Sequence, residues 1–325
     1  MREYLAQNIL HALVAAGVIE TLLRYWRLTH PAERLAFRLL ALTLPLAVLP
    51  VFWAFAPFRL DPAFADAFAL FASVHWEAVR VGSVGLGALL LAGACAAGVL
   101  LYLRDLTPLL RARWRHEGPA VDLPAEDSLA RAVSDLSRRV GLRIRPALRV
   151  IDETVPVLFA SGVRRPALVV SRGAVERLDE AQLRVTLAHE LVHLGRGDVL
   201  LGWAVMAART LMLFNPISQL VARGVVLEVE RRADDTAAHV LEASATLADG
   251  MERLVGARFE TPAARAREGR INGYILGLAL KGRAAALARR CGRLRDGWPP
   301  MRRGLPGLRV GLTCVALAGL LFFIV

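Results

Sequence analysis

Three long apolar stretches limit what this chain can fold into. They cover residues 39–58, 84–103 and 308–325, and each is close to the length of about 20 residues that a helix needs to cross roughly 30 Å of hydrocarbon. A backbone in lipid must satisfy its own hydrogen bonds, which a helix does within one segment. We therefore predict a transmembrane helix at each of these positions.

A fourth apolar stretch, residues 5–23, is interrupted by polar side chains. Such groups normally face neighbouring helices rather than lipid, so the stretch suits a span inside a helical bundle. A cleaved signal peptide is the alternative, but no small-residue cleavage site follows. We predict four transmembrane helices in all, and the first of them carries the polar residues Gln7, Asn8, His11 and Glu20.

Small residues in the span at 84–103 allow another helix to approach closely. Gly93 and Ala97 lie four residues apart, on one face of the helix. Small side chains that simply face lipid are the alternative interpretation. The pair therefore marks a candidate contact face, not an established one.

The distribution of arginine predicts how the spans are oriented. The chain carries 41 Lys and Arg against 29 Asp and Glu, a net charge of +12, and no nucleic-acid recognition motif accompanies that charge. Basic loops follow the first and third spans, at residues 24–38 and 104–115, as cytoplasmic loops do. We expect a protein of a bacterial-type inner membrane, with the N-terminus outside, residues 104–307 in the cytoplasm beside anionic lipid, and the C-terminus outside.

Residues 104–307 are enough for one domain with its own core. Apolar residues at helical spacing predict a helix that ends at Gly141. A second helix is predicted to begin at Asp179, with Gln182 as its capping partner, and to end at Gly195 or Gly197. Between the two helices, three short runs have the composition of β-strands: residues 147–152, 156–161 and 166–171.

The second helix carries the motif HELVH, with His189 and His193 four residues apart. At that spacing both imidazoles emerge from one helix face about one turn apart, so they can hold one ion between them. Glu190 can reach the water of such an ion without being a ligand itself. The motif therefore predicts two nitrogen ligands and one carboxylate base, as zinc-assisted hydrolysis requires.

Two histidines at this spacing also occur by chance on a surface helix, and surface histidines are the alternative interpretation of the bare motif. The residues that flank them, such as Leu187, Leu191 and Val192, are apolar. The helix is therefore expected to be buried, and buried histidines without a partner are costly. The sequence context favours a metal site.

A third ligand is available downstream, where Glu230 and Asp234 lie four residues apart on a further predicted helix. Glu230 can complete a site of two histidines and one glutamate with a position left open for water. Asp234 can accept a hydrogen bond from the far nitrogen of a ligand histidine and set its tautomer. A row of surface charges with Arg231 and Arg232 is the alternative.

The apolar run at residues 199–214 separates the two motifs. A single membrane crossing here would place Glu230 on the opposite side of the bilayer from the histidines, and the intervening residues are too few for two comfortable crossings. Arg209 also lies within the run. We predict a buried or membrane-lying helix that begins at Asp198 as its N-cap and stops before the Asn215–Pro216 pair.

These linked motifs resemble a known family. "HELVHLGRGD" (189–198), an apolar helix that ends in "FNP" (214–216), and "ERRAD" (230–234) are similar to the membrane metallopeptidases of the BlaR/MecR antirepressor family, a branch of the gluzincins. The resemblance extends to residues 156–171 and 178–191, and to three spans before the peptidase domain and one after it. It implies an α-helical membrane protein with four transmembrane helices and an inserted α+β zincin-like domain.

Carried over by residue, the resemblance implies one zinc ion per chain held by His189, His193 and Glu230. It implies Glu190 as general base and acid, and Asp234 as a partner of a ligand. It also implies that the strand containing Leu158, Phe159 and Ala160 pairs with an extended substrate. Antibiotic-sensing relatives carry a penicillin-binding sensor after the last span, and the sequence shows none, so we do not expect β-lactam sensing.

The predicted function is zinc-dependent hydrolysis of peptide bonds in a cytoplasmic or membrane-proximal protein. A regulatory substrate, either a cognate repressor or the chain itself, is the leading hypothesis, and a homodimer is a candidate assembly. One alternative is a housekeeping or lipopeptide-processing protease of the Ste24 type. Another is a non-catalytic membrane scaffold that binds a partner through the arginine-rich residues 285–304, whose more usual role is contact with anionic lipid.

Overall fold

The computed structural model describes residues 2–70, 79–115, 120–122, 127–260, 273–297 and 307–325, and this part of the chain is mostly helical. The helices are α1 (Arg2–Tyr25), α2 (Pro31–Phe55), α3 (Pro62–Phe68), α4 (Leu86–Arg115), α5 (Ser128–Val140), α6 (Arg172–Arg177), α7 (Glu180–Arg196), α8 (Asp198–Leu211), α9 (Pro216–Leu241), α10 (Ser244–Glu260), α11 (Gly273–Arg295) and α12 (Gly307–Phe322). The strands are β1 (Arg80–Val81), β2 (Val84–Gly85), β3 (Ala120–Asp122), β4 (Ala147–Ile151), β5 (Leu158–Ser161) and β6 (Ala167–Ser171).

The chain divides into two compact units. The first comprises Met1–Leu103, Ala204–Glu228 and Met301–Val325, and the second comprises Arg104–Trp203 and Val229–Pro300. Residues 204–228 therefore group with the predicted spans, whereas the sequence analysis assigned them to the peptidase domain. The domain bounds 1–103, 104–307 and 308–325 stay a prediction, because compactness does not by itself define a folding domain.

Among the described residues, three helices are long and apolar enough to cross a membrane: α1, α2 and residues Leu86–Leu106 of α4. They coincide with three of the four predicted spans, although α2 begins at Pro31, well before residue 39. The fourth predicted span falls on α12, which has 16 residues. At 1.5 Å per residue that helix is short for a crossing, so the fourth span stays a prediction.

Three of the four polar residues predicted to face neighbouring helices lie inside the first unit, whereas the Glu20 side chain is 42% exposed and pairs with Arg38 of α2. Gln7, Asn8 and His11 are buried. The side-chain amide of Asn215 donates to Asn8 Oδ1 at 2.9 Å, and His11 Nε2 lies 3.0 Å from the carbonyl oxygen of Ile324. These contacts pair Asn8 Oδ1 and His11 Nε2, whereas Gln7 Oε1, Asn8 Nδ2 and His11 Nδ1 have no hydrogen-bond partner among the described residues.

Four strands of the second unit form a mixed sheet with the order β3-β4-β6-β5. β3 is antiparallel to β4, β4 is parallel to β6, and β5 is antiparallel to β6. All three strands predicted from the sequence are present, as β4, β5 and β6. All five residues of β6 are buried, whereas β5 stands at the edge of the sheet as far as the structure describes it. α7 packs against that edge strand.

The helix that carries HELVH has the predicted start and stop. Asp179 accepts a hydrogen bond from the Gln182 N–H at 2.8 Å, and the Gln182 side chain reaches back to the Asp179 N–H. Gly197 ends α7 in the left-handed conformation, with φ of 68°, which glycine adopts without steric cost. The apolar side chains Val185, Leu187 and Leu191 are fully buried, and each contributes about 1.5–3 kcal/mol through burial.

The apolar run between the motifs forms α8, which begins at Asp198 and ends at Leu211. Asn215 Oδ1 accepts hydrogen bonds from the backbone N–H groups of Ile217 and Ser218, so it caps the start of α9. A helix that stops before Asn215–Pro216 is therefore confirmed. α7 and α8 meet at an angle of 68°, and together they are apolar enough for one broken or re-entrant span, so the prediction that α8 does not cross the membrane stays a prediction.

Candidate metal centre

Helix α7 presents His189 and His193 on one face, as their spacing predicts. The Nε2 atoms of the two imidazoles are 3.2 Å apart, and the ring planes are nearly perpendicular, at 87°. His189 is only 5% exposed, so the surface-histidine interpretation does not apply to it. The two rings converge through their Nε2 atoms.

Glu230, on α9, brings a carboxylate to the same place. Its Oε2 lies 3.7 Å from His189 Nε2, and its Oε1 lies 3.7 Å from His193 Nε2. One ligand atom from each of the three residues falls within 4.8 Å of the others. A tetrahedral ion with bonds of about 2.1 Å sets its ligands roughly 3.4 Å apart, so this arrangement matches the predicted ligand set in composition and scale.

Glu190 lies beside this group on α7, and its carboxylate faces the edge of the sheet. Its Oε2 accepts a hydrogen bond of 2.9 Å from the backbone N–H of Ala160, on β5. Burial raises the pKa of the Glu190 carboxyl, against the lowering effect of the two histidines. A carboxylate with a raised pKa is suited to exchange a proton, as a general base must.

Asp234 lies behind His189, at the place that its spacing from Glu230 predicts. Its Oδ1 is 3.1 Å from His189 Nδ1, although the contact lacks the angle of a good hydrogen bond. Burial alone would lower the pKa of His189, but the contacts with Asp234 and Glu230 outweigh it and raise the pKa to about 10. Asp234 is fully buried, so its charge acts on His189 with little screening by water.

Asp198 lies behind His193, and the sequence analysis assigned it a different role. Its Oδ2 is 2.9 Å from His193 Nδ1, and its Oδ1 accepts from the guanidinium of Arg232. The carboxylate thus binds side chains of α7 and α9, where a backbone cap was predicted. The sequence does contain a signal for this contact. Asp198 directly follows Gly197, the glycine that ends α7, and the chain reverses direction there, so the carboxylate can return to the last turn of the helix.

Arg290, on α11, also contacts this group, although its sequence context gave no sign of such a role. Its Nε and Nη2 each donate to Asp234 at 2.7 Å, and its Nη1 lies 2.8 Å from Glu230 Oε2. Burial alone would raise the pKa of Glu230, but His189 and Arg290 outweigh it and lower the pKa below its usual range. The arginine-rich segment was read as lipid-facing or partner-binding, so nothing local linked it to the site.

Comparison with known proteins places this arrangement in a family. The family model described as BlaR1 peptidase M56 matches residues 70–247, more than half of the chain. The chain belongs to the BlaR1 peptidase M56 family. The matched segment contains the HELVH helix and both Glu230 and Asp234, so the predicted family is confirmed.

Curated relatives of the chain are also named as proteases. The M56 chain is 34% identical over 99 residues to the protease HtpX homolog of Sulfurovum sp. (strain NBC37-1), a segment that covers 29% of this chain and 36% of the relative. It is 37% identical over 86 residues to the protease HtpX homolog of Aquifex aeolicus (strain VF5), a segment that covers 25% of this chain and 28% of the relative. It is 38% identical over 77 residues to protease HtpX of Acinetobacter baumannii (strain AYE), a segment that covers 23% of this chain and 25% of the relative. The chain therefore spans about a third or less of the length of these relatives, and no solved structure matches it.

The donor set of this M56 chain fits a divalent cation. Both histidines turn Nδ1 towards a carboxylate, so their Nε2 atoms are the ones that offer lone pairs to a shared ion. Four carboxylates of the described residues lie around the imidazoles, those of Glu190, Glu230, Asp198 and Asp234, and Arg232 and Arg290 contact the last three. Nitrogen and carboxylate ligands in this number are those of a catalytic zinc site.

The strand that the M56 resemblance assigns to substrate, β5, lies next to this centre through Ala160. Phe159 and Ala160 are partly exposed, whereas the side chain of Leu158 is packed in the core at 7% exposure. In its pairing with β6, Ala160 stands opposite Leu168, and its N–H points to Glu190 on the open side of the strand. The structure thus brings the backbone of Ala160 to the centre, whereas the Leu158 side chain belongs to the hydrophobic core.

Proposed function

We propose that the protein is an integral-membrane zinc endopeptidase with a zincin-like α+β catalytic domain. One observation carries the proposal: Nε2 of His189, Nε2 of His193 and a carboxylate oxygen of Glu230 converge beside a fourth acidic residue, Glu190. Membership of a peptidase family supports the same reaction.

His189, His193 and Glu230 would hold one zinc ion per chain. Zinc bound there would supply a Lewis acid and lower the pKa of a water molecule towards neutrality. Asp234 and Asp198 hold the imidazoles by their Nδ1 side, which directs both Nε2 atoms to the same point. The residues of this chain therefore supply the geometry of the site before any substrate arrives.

Glu190 would move the proton. Its carboxylate accepts a proton from the attacking water as the new C–O bond forms, and then gives that proton to the leaving amine nitrogen as the C–N bond breaks. The Ala160 N–H holds Oε2 of Glu190 at 2.9 Å, so the other oxygen is the one left to face the reaction. The raised pKa of Glu190 favours return of the proton to the amine.

The substrate would be an extended segment of a protein. The edge of a sheet can bond an extended chain as an added strand, and β5 is the last strand of the sheet in the part of the chain that the structure describes, next to Glu190. With its N–H donated to Glu190, Ala160 would offer a substrate its carbonyl oxygen. A regulatory protein, either a cognate repressor or the chain itself, is the proposed substrate.

The proposed topology has four spans, the N-terminus and C-terminus outside, and the peptidase domain in the cytoplasm. Three helices of sufficient length support part of this arrangement. The similarity to relatives named as proteases is equally compatible with the second candidate, a housekeeping or lipopeptide-processing protease of the Ste24 type, because those names specify no substrate. The scaffold alternative loses support, because three arginines of its basic segment are paired with acids of α9 and α10: Arg290, Arg293 and Arg295. Residues 298–304 of that segment lie outside the described residues.

Glu190→Gln tests the reaction directly. The change keeps the size of the side chain but removes the proton acceptor, so cleavage should fall by at least 100-fold while zinc content stays at one per chain. The measurement compares new protein N-termini in cells that express either form, together with zinc in the purified proteins. Glu180→Gln is a matched control, because Glu180 is exposed on the first turn of the same helix. Equal fragment patterns at equal zinc content would contradict the proposal.

A further inference from the structure

Arg290 joins two acidic residues that have different roles at the proposed centre. It lies on α11, 56 residues after Asp234 along the chain. All three guanidinium nitrogens contact a carboxylate: Nε and Nη2 donate to the two oxygens of Asp234, and Nη1 contacts Oε2 of Glu230. The side chain is 13% exposed, so these bonds form largely away from water.

The planar fork of arginine is what allows this double contact. A guanidinium presents several N–H donors in fixed directions, whereas a lysine ammonium is a single point of charge on a flexible stem. Two parallel bonds to Asp234 fix the plane of Arg290, and that plane then fixes where Nη1 meets Glu230. The position of one glutamate oxygen is therefore set by a group outside α9.

We propose that Arg290 is a positioning residue that holds Glu230 and Asp234 in place for the zinc ion. This inference rests on the proposed function. Arg290 holds Glu230 by Oε2, and through Asp234 it also steadies His189, whose Nδ1 lies 3.1 Å from Asp234 Oδ1. One side chain of α11 thus sets the positions of two of the three ligands.

An opposing effect has to be weighed. A cation close to a divalent ion repels it, so removal of Arg290 could strengthen zinc binding. Here the guanidinium charge is already compensated by two carboxylates at 2.7 and 2.8 Å. Its removal would leave Asp234, which is fully buried, without its bidentate partner, and the carboxylate would have to move or be neutralised. Loss of positioning is therefore the larger effect, and zinc binding should weaken.

Arg293 provides a matched control on the same helix. It lies about one turn further along α11 and makes a two-bonded ion pair with Asp235 of α9, with both distances 2.6 Å. This pair joins the same two helices, and none of its described bonds reaches His189, His193 or Glu230. Loss of the Arg293 pair therefore measures the effect of weaker packing between α11 and α9 alone, without a direct effect on the candidate ligands.

The experiment measures zinc affinity of the full chain in detergent by competition with a chromogenic chelator. We expect Arg290→Gln to weaken zinc binding about 10- to 100-fold, Arg290→Lys to weaken it to a smaller extent, and Arg293→Gln to leave it within about 2-fold of wild type. Thermal unfolding of each metal-free protein identifies variants that fold. If Arg290→Gln does not fold, Arg290→Lys and Arg293→Gln still decide the question.

Three outcomes would overturn the inference. Zinc binding by Arg290→Gln that equals or exceeds that of wild type would mean that Arg290 only competes with the ion. Wild-type affinity in Arg290→Lys would mean that charge suffices and the fork does not matter. Equal losses in Arg293→Gln and Arg290→Lys would mean that helix docking explains the effect. Failure of the proposed function is distinct, because the wild-type protein would then bind no zinc at one per chain.

Discussion

Each of the three candidate ligands has a charged partner on the side away from the shared point. His189 faces Asp234, His193 faces Asp198, and Glu230 faces Arg290. Partners of this kind orient metal ligands and tune their basicity. Loss of such a partner commonly weakens metal binding. At the scale of single residues, the centre is thus a set of ligand–partner pairs.

Asp198→Asn tests the partner of His193. An amide accepts a hydrogen bond less strongly than a carboxylate and carries no charge, so His193 would be a weaker and less well oriented ligand. We expect zinc affinity to fall about 10- to 100-fold, measured by competition with a chelator. Asp152→Asn is the control, since Asp152 is exposed and pairs with Arg172 instead. Unchanged affinity in Asp198→Asn would show that the contact does not matter for binding.

At the scale of elements, helix α9 combines two sets of contacts. In the first unit, Glu228 is buried and its Oε1 lies 2.8 Å from Arg34 and 3.0 Å from Arg38 of α2. In the second unit, Glu230 takes part in the candidate centre. The first set explains how apolar helices can carry buried charges, because ionisable groups in such surroundings are found paired.

Close approach of elements in the first unit depends on Gly98 of α4, not on the predicted pair. A Cβ at Gly98 would clash with the backbone carbon and oxygen of Phe214, whereas one at Gly93 would have no atom of the described residues within 4 Å. Ala97 is exposed. The alternative interpretation of Gly93 and Ala97, as small residues without a close helix neighbour, therefore fits the structure.

Gly98→Ala should destabilise the packing of α4 against the chain that joins α8 and α9. The added methyl group meets backbone atoms that cannot rotate away, and overpacking of this kind costs about 1–3 kcal/mol. Thermal unfolding in detergent would register the loss as a lower midpoint. Gly93→Ala serves as the control and should leave the midpoint unchanged or slightly higher, because alanine favours the helix. Equal midpoints for the two variants would contradict the close contact at Gly98.

At the scale of the whole molecule, the candidate ligands come from helices that are distant in sequence, so binding of a metal ion would be linked to stability. An ion that binds only the folded chain stabilises it in proportion to the logarithm of the free ion concentration over its dissociation constant. The two histidines lie on α7 and Glu230 lies on α9, and unfolding separates them. The bound ion should therefore act as a cross-link between the two helices.

Removal of zinc should lower the stability of the protein. With free zinc at 100 times its dissociation constant, the ion contributes about 2.7 kcal/mol, and a chelator should abolish that contribution. The unfolding midpoint, followed by circular dichroism with added zinc or added chelator, measures the effect. His193→Ala should unfold at nearly the same temperature in both conditions. A wild-type midpoint that does not respond to zinc would argue against the site.

The sequence alone was sufficient to predict the features that depend on residues close together along the chain. Helical spacing placed His189 and His193 on one face, a cap and a glycine bounded α7, and alternation of strand and turn residues predicted β4, β5 and β6. Glu230 and Asp234 could also be proposed from the sequence, because a zinc site with two histidines requires a third ligand and the spacing of four residues suggested a helix face.

Only the tertiary structure decided which distant groups meet those residues. Asp198 looked like a helix cap, Arg290 looked like one of many cytoplasmic arginines, and Gly98 looked like any small residue in an apolar helix. Each role depends on a partner on another element: His193, Asp234 and Phe214. Backbone periodicity says which way a side chain leaves its own helix, but the contact it then makes is set by how separate elements pack.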